Sequence, residues 1–182
     1  INSKKASASS DRTIKVWNVN TAECLHTLTA PSAVLNLLAP KTSKDTLWSC
    51  ALNGSLQQWN LTQWKNTLTH NTGEGSEQGG EGGVVVRLQE FVGEGENNNG
   101  LLCGCTDGQM RLFDPSSSAF TQVYNCSQDG HNAVLSLANN GLYIAAACHN
   151  IIQGIYLPLS PPHHYCLIVS VVVWDPRNTS EP

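Results

Sequence analysis

Two cysteines and three histidines near the C-terminal end are of the types that zinc prefers as ligands: Cys148, His149, His163, His164 and Cys166. Their spacing matches no standard zinc finger. If Cys148 and His149 lie on one strand, they also point to opposite faces of the sheet. We therefore expect a buried Cys148, exposed histidines and no metal ion or cofactor. An enzyme or metal site around residues 148–166 is the least favoured function.

A second pair of thiols, Cys103 and Cys105, faces one side of an apolar strand. Such thiols are inert without a nearby base, because the thiolate is the nucleophile. The sequence offers no Ser-His-Asp or Cys-His constellation, no phosphate-binding glycine loop and no paired carboxylates on ordered strands. The glycine-rich segment 71–83 is acidic and would repel phosphate. We predict no catalytic residues and no enzyme.

The composition is typical of strands and turns. Apolar residues make up 40% of the 182 residues and charged residues 13%, with 15 Gly and 8 Pro. The net charge of −4 provides no basic surface for DNA or RNA, so we expect no direct nucleic-acid binding. We also expect no membrane partner. Seven cysteines without a CxxC pair, and no secretory signal, indicate the cytoplasm or nucleus.

A repeated pattern runs along the chain. In three copies an Asp or Asn lies six residues before an aromatic residue: Asp11 before Trp17, Asn53 before Trp59 and Asp107 before Phe113. A fourth copy ends in "VVVWDPR", with Trp174 followed by Asp175. The aromatic residues lie 42, 54 and 61 residues apart. Removing 13 residues at 71–83 and 18 residues between Asn150 and Trp174 makes the spacings 42, 41 and 43. This period matches one blade of a β-propeller.

Each copy also predicts four short antiparallel strands. Asn53-Gly54 and Asp107-Gly108 are favoured where a hairpin turn requires positive φ, and strand-like segments flank them. Two further strands follow in each copy, such as "ECLHTL" and "VLNLLA". No helical periodicity is present. The predicted fold class is therefore all-β, a propeller of about three and a half to four blades.

On these four copies the chain resembles the WD-repeat family over nearly its whole length. The resemblance implies a structural tetrad in each blade, formed by a turn Asp, a strand Ser or Thr, a His and the Trp. Carried over, the turn position is Asp11 and Asp107, with Asn53 and Asn150 as departures. The hydroxyl position is Ser7 and Ser49, replaced by Cys103 and Ala146, and only Gly130-His131 retains the Gly-His pair. No copy has a full tetrad.

The run from "RTIKVWNVNTAEC" through "LFD" has a fainter resemblance to plant proteins that join CCCH zinc fingers to WD repeats. That resemblance implies an alternative function, the propeller half of a protein associated with RNA or another nucleic acid. Seven-bladed WD-repeat rings need about 300 residues at about 40–45 per blade. We therefore expect 1–182 to be a fragment of a larger propeller, with the natural N-terminus missing. Its open edges would favour edge pairing or oligomerisation.

The apolar Pro/His segment 151–168 interrupts an expected hairpin. One interpretation is a binding finger with contacts at Ile151, Ile152, Ile155, Tyr156, Leu157 and Leu159. The other is translated intron sequence. Because ordinary loops are polar, the composition favours the second.

The leading function implied by the resemblance is a non-catalytic scaffold for protein–protein interaction. Its partners would be other proteins of unknown identity. Candidate contacts near the hairpin turns are Arg12, Asn53, Gln109 and Asn150, together with Ile155, Tyr156 and Leu157 in the apolar segment. The aromatic residues Trp48, Trp64, Tyr124 and Tyr143 are either interface residues or core residues, and core is the commoner role.

Overall fold

The computed structural model describes residues 4–72, 83–92, 99–126, 132–139, 143–148, 151–156 and 169–172. Every regular element in these ranges is a β-strand, and every pairing between them is antiparallel. The all-β prediction is therefore confirmed. The strands form four separate sheets, each built from consecutive strands of the chain.

The first sheet has three strands: β1 (Lys4–Ala8), β2 (Thr13–Asn18) and β3 (Cys24–Thr29). The second has four: β4 (Val34–Leu38), β5 (Thr46–Ala51), β6 (Ser55–Asn60) and β7 (Lys65–Asn71). The third is formed by β8 (Val85–Val92), β9 (Asn99–Cys105), β10 (Gln109–Asp114) and β11 (Ala119–Asn125). The fourth is formed by β12 (Val134–Asn139), β13 (Tyr143–Cys148), β14 (Ile151–Tyr156) and β15 (Val169–Val172).

The sheets pack on one another in chain order, because alternate residues of a strand face opposite sides. A layer containing Ile14, Leu28, Leu47 and Trp59 joins the first and second sheets. A layer containing Trp48, Cys50, Cys103 and Phe113 joins the second and third. A layer containing Leu102, Met110, Val134 and Ile144 joins the third and fourth. Neighbouring residues in β5, Leu47 and Trp48, thus serve two different layers.

For residues 151–156, strand β14 corrects the expectation of an interrupted hairpin, whereas residues 157–168 lie outside the described residues. The backbone of Ile151–Tyr156 pairs with β13 in unbroken register, from Cys148 opposite Ile151 to Tyr143 opposite Tyr156. Tyr156 lies six residues after Asn150 and 43 residues after Phe113. It therefore holds the aromatic position of the repeat, and no residues have to be removed to restore the period. Leu157, Trp174 and Asp175 lie outside the described residues.

The acidic insertion predicted at 71–83 is too wide at both ends. Asn71 ends β7, and the next residue, Thr72, donates from its N–H (2.7 Å) and its hydroxyl (2.8 Å) to the Gly54 carbonyl. The Gly83 N–H donates to Oδ2 of Asp107 at 2.8 Å. These bonds attach both flanks to hairpin turns, which composition alone does not reveal.

Candidate interaction surface

The β1–β2, β5–β6 and β9–β10 hairpin turns share one geometry. Asp11 accepts a hydrogen bond from the Thr13 N–H at 2.8 Å, Asn53 from the Ser55 N–H at 3.2 Å and Asp107 from the Gln109 N–H at 3.1 Å. An amide oxygen accepts this bond as a carboxylate does. The departure from Asp at Asn53 therefore leaves the turn intact.

The residue after each of these side chains has a positive φ: 70° at Arg12, 79° at Gly54 and 74° at Gly108. Its carbonyl accepts a backbone hydrogen bond from the residue that follows the outer strand of the same sheet, at 2.7–2.9 Å. The donors are Ala30, Thr72 and Cys126. The same type of turn, with the same hydrogen bonds, therefore lies at the same end of the strands in three successive sheets.

The predicted tryptophan–hydroxyl pairs are present in the first two sheets. The Trp17 indole N–H donates to Ser7 Oγ at 2.8 Å, and the Trp59 indole N–H donates to Ser49 Oγ at 2.9 Å. In the third sheet Phe113 and Cys103 take these positions, and the Cys103 thiol donates instead to the Leu101 carbonyl at 3.8 Å. His131 lies outside the described residues.

An ion pair lies beside the β9–β10 turn. The sequence analysis did not predict it. Arg111 is only 6% exposed, and its Nη2 donates to Asp107 Oδ2 at 2.5 Å and to Gln109 Oε1 at 2.7 Å. Its Nη1 donates to the Gly83 carbonyl at 3.3 Å and to Cys105 Sγ at 3.4 Å. The sequence places Arg111 between the apolar residues Met110 and Leu112 in a strand-like segment. A charged side chain in a buried strand requires partners, and this position was therefore the signal for an ion pair.

Two of the candidate contacts at these turns, Arg12 and Gln109, differ in how their side chains are placed. Arg12 is exposed. Gln109 is partly buried and held on both sides, because its oxygen accepts from Arg111 and its Nε2 donates to Asn125 at 3.1 Å. The sequence analysis did not identify Leu52 as a contact. Leu52 directly follows β5, at the turn of the second sheet, and is 61% exposed. Arg12, Leu52 and Gln109 form what we name the turn surface. Of Ile155 and Tyr156, only the backbone in β14 is described.

The thiols behave as packing groups. Burial raises the pKa of Cys50 and of Cys105 to about 12, and it raises that of the fully buried Cys103 as well. Thiolates are therefore disfavoured at neutral pH. Cys148 is 6% exposed and donates to the Cys126 carbonyl at 3.5 Å, whereas His149, His163, His164 and Cys166, the other residues of zinc-ligand type, lie outside the described residues. Within the described ranges, no three His, Cys, Asp or Glu side chains are grouped to hold a metal ion.

No protein-family model matches the chain. In the part of the chain that the structure describes, no helix has the length and apolar character needed to cross a membrane.

Proposed function

We propose that this chain is part of a WD-repeat β-propeller and acts as a non-catalytic scaffold that binds other proteins through its turn surface. One observation carries the proposal: the same hairpin turn, with the same side-chain and backbone hydrogen bonds, recurs at one end of three successive sheets. Repeated units that bury their faces against their neighbours in chain order are typical of propellers and other repeat folds.

Two further regularities support the propeller. The first strands of successive sheets, β4, β8 and β12, lie beside one another, as the inner strands of blades do around an axis. The β2–β3, β6–β7 and β10–β11 turns also share one geometry. Ala22, Trp64 and Ser118 each follow the repeat's aromatic residue by five positions and have φ between 53° and 56°.

The chemistry of the turn surface supports protein binding. It combines an exposed cation with an exposed aliphatic side chain, on loops that a rigid sheet holds in place.

Site-specific photo-crosslinking in cells tests the function. A crosslinking amino acid placed at Arg12, Leu52 or Gln109 is expected to capture one common protein. Matched control positions are Val19, at the opposite end of the strands, and Val123, on an outer strand, both 54% exposed. Charge reversal by Arg12→Glu, combined with the crosslinker at Leu52, should reduce the yield. Equal yields of that protein from Val19 and Val123, or no shared protein, would contradict the proposal.

A further inference from the structure

A cleft of about 150 Å³ opens between the second and third sheets, at the end of the strands opposite the turn surface. Its apolar part is formed by Trp48, Phe91 and Leu101, and Pro40 and Pro115 also line it. Sites for drug-sized molecules have volumes of about 300–1,000 Å³. The cleft is therefore sized for a single long side chain.

Glu90 gives the cleft a fixed negative charge. Its Oε2 accepts from the Lys41 N–H at 2.7 Å, and its Oε1 accepts from the Thr42 N–H at 3.0 Å and the Thr42 hydroxyl at 2.6 Å. Burial acts to raise the pKa of Glu90, but these hydrogen bonds and the charge of Lys41 outweigh it and hold the pKa below its usual value. The carboxylate is thus ionised at neutral pH without an ion-paired side chain among its hydrogen-bond donors.

The hydrogen bonds that the Glu90 carboxylate can still accept determine which cationic group the cleft favours. Each carboxylate oxygen accepts about two hydrogen bonds, so Oε1 is filled and Oε2 has room for one more. An arginine fork needs both oxygens for its bidentate geometry, whereas an ammonium group binds as a point charge with three separate donors. The hydroxyls of Ser43 and Thr46 line the same cleft, 2.8 Å from each other, and provide further acceptors.

We propose that this cleft binds the lysine side chain of an extended segment of a partner protein. The ammonium group contacts Oε2 of Glu90 and the neighbouring hydroxyls, and the four-carbon stem packs against Trp48 and Phe91, as long cationic side chains do on apolar surfaces. This site is separate from the turn surface and goes beyond the function proposed for it.

Peptide titration of the full chain, followed by ¹H–¹⁵N NMR, tests the inference. The probe is Ac-Gly-Lys-Gly-NH₂, and the controls replace lysine with norleucine, which has the stem without the charge, or with arginine. We expect saturable shifts of the Lys41 and Thr42 amides and of the Trp48 indole, with unchanged Gly54 and Gly108 amides. Loss of one charge-assisted hydrogen bond weakens binding about tenfold, so norleucine and arginine should bind about tenfold more weakly.

Glu90→Gln should weaken lysine binding by a similar factor of about ten, because a neutral amide replaces the carboxylate. Glu23→Gln, an exposed glutamate on the β2–β3 turn, is the matched control and should bind as the unmodified chain does. If Glu90→Gln does not fold, Thr46→Val removes one hydroxyl from the cleft without touching the bonds to Glu90. It should then weaken binding about threefold.

Equal binding of the lysine and norleucine peptides, or no saturable shift with the lysine peptide, would overturn the inference. So would wild-type affinity in Glu90→Gln. These outcomes leave the crosslinking at Arg12 and Leu52 unaffected, and failure of that crosslinking leaves the titration unaffected. The two proposals can therefore fail separately.

Discussion

The Trp59 indole N–H donates a 2.9 Å hydrogen bond to the Ser49 hydroxyl on the adjacent strand, and the two residues are 4% and 1% exposed. In the third sheet both members of this pair are replaced, by Phe113 and Cys103, and the donor and the oxygen acceptor disappear together. Neither is left buried without its partner, which is the costly arrangement. Phe113 and Cys103 therefore replace the Trp–Ser pair as a unit.

Trp59→Phe should destabilise the chain by about 1–3 kcal/mol, because it leaves the buried Ser49 hydroxyl without its donor. Adding Ser49→Cys, the combination found in the third sheet, should recover part of that loss. Urea denaturation of the two single variants and the double variant gives the coupling energy. Strictly additive effects would show that the hydrogen bond contributes nothing.

Arg12→Gly should stabilise the chain by about 0.5–1 kcal/mol, because Arg12 has a φ of 70° where the equivalent turns have Gly54 and Gly108. The reverse change, Gly54→Ala, should destabilise it by about 1–2 kcal/mol. Thermal and urea unfolding measure both. As a control, Lys15→Gly within β2 should be destabilising, since a glycine there weakens a strand. A loss of stability in Arg12→Gly would contradict the assigned turn.

Asp107→Ala should cost about 2–4 kcal/mol, because Arg111 is buried and would lose its carboxylate partner. The matched control is Asp11→Ala, at the equivalent turn of the first sheet, where the side chain is exposed and holds no arginine. Its effect should be clearly smaller. Chemical denaturation compares the two, and equal losses would show that the turn bond, and not the ion pair, is what matters.

The stability of the chain should decrease as the pH falls below about 6.5, the ordinary pKa of histidine. Burial against Phe113 and Phe120 lowers the pKa of His70, and a hydrogen bond with the Ser118 backbone opposes this only in part. The unfolded chain therefore binds a proton at higher pH than the folded chain. His70 favours folding fully above the unfolded pKa and loses that effect as the pH falls through the lowered folded value. An NMR titration midpoint of His70 at or above 6.5 would contradict this.

Iodoacetamide should modify Cys24 in the native chain well before Cys50, Cys103 and Cys105. Cys24 is exposed, whereas the other three are buried and their pKa values are raised. Peptide mass spectrometry after timed labelling measures the order of reaction. In urea the four thiols should react at similar rates, which is the control. Rapid native labelling of Cys103 would indicate an accessible thiolate.

The sequence by itself determined the strands and the period of the repeat. Alternating apolar residues, Asn-Gly and Asp-Gly turns, and aromatic residues at a fixed distance are local signals, and a strand or a turn forms from local preferences. The pairing of Trp17 with Ser7 and of Trp59 with Ser49 was implied by the resemblance to the WD-repeat family and not by the local signals. At residues 151–156 the prediction from composition was wrong. The apolar composition indicated an abnormal loop, whereas the first six residues of the segment form β14 and place Tyr156 at the repeat's aromatic position.

Only the tertiary structure decided what lies between the sheets. The exposure of Leu52 and the hydrogen bonds from residues 41 and 42 to Glu90 depend on how neighbouring sheets and loops meet. Residues 41 and 90 are 49 positions apart, and no periodic pattern connects them. Contacts of this kind are set by the packing of whole sheets, whose side-chain complementarity is not encoded in any short segment.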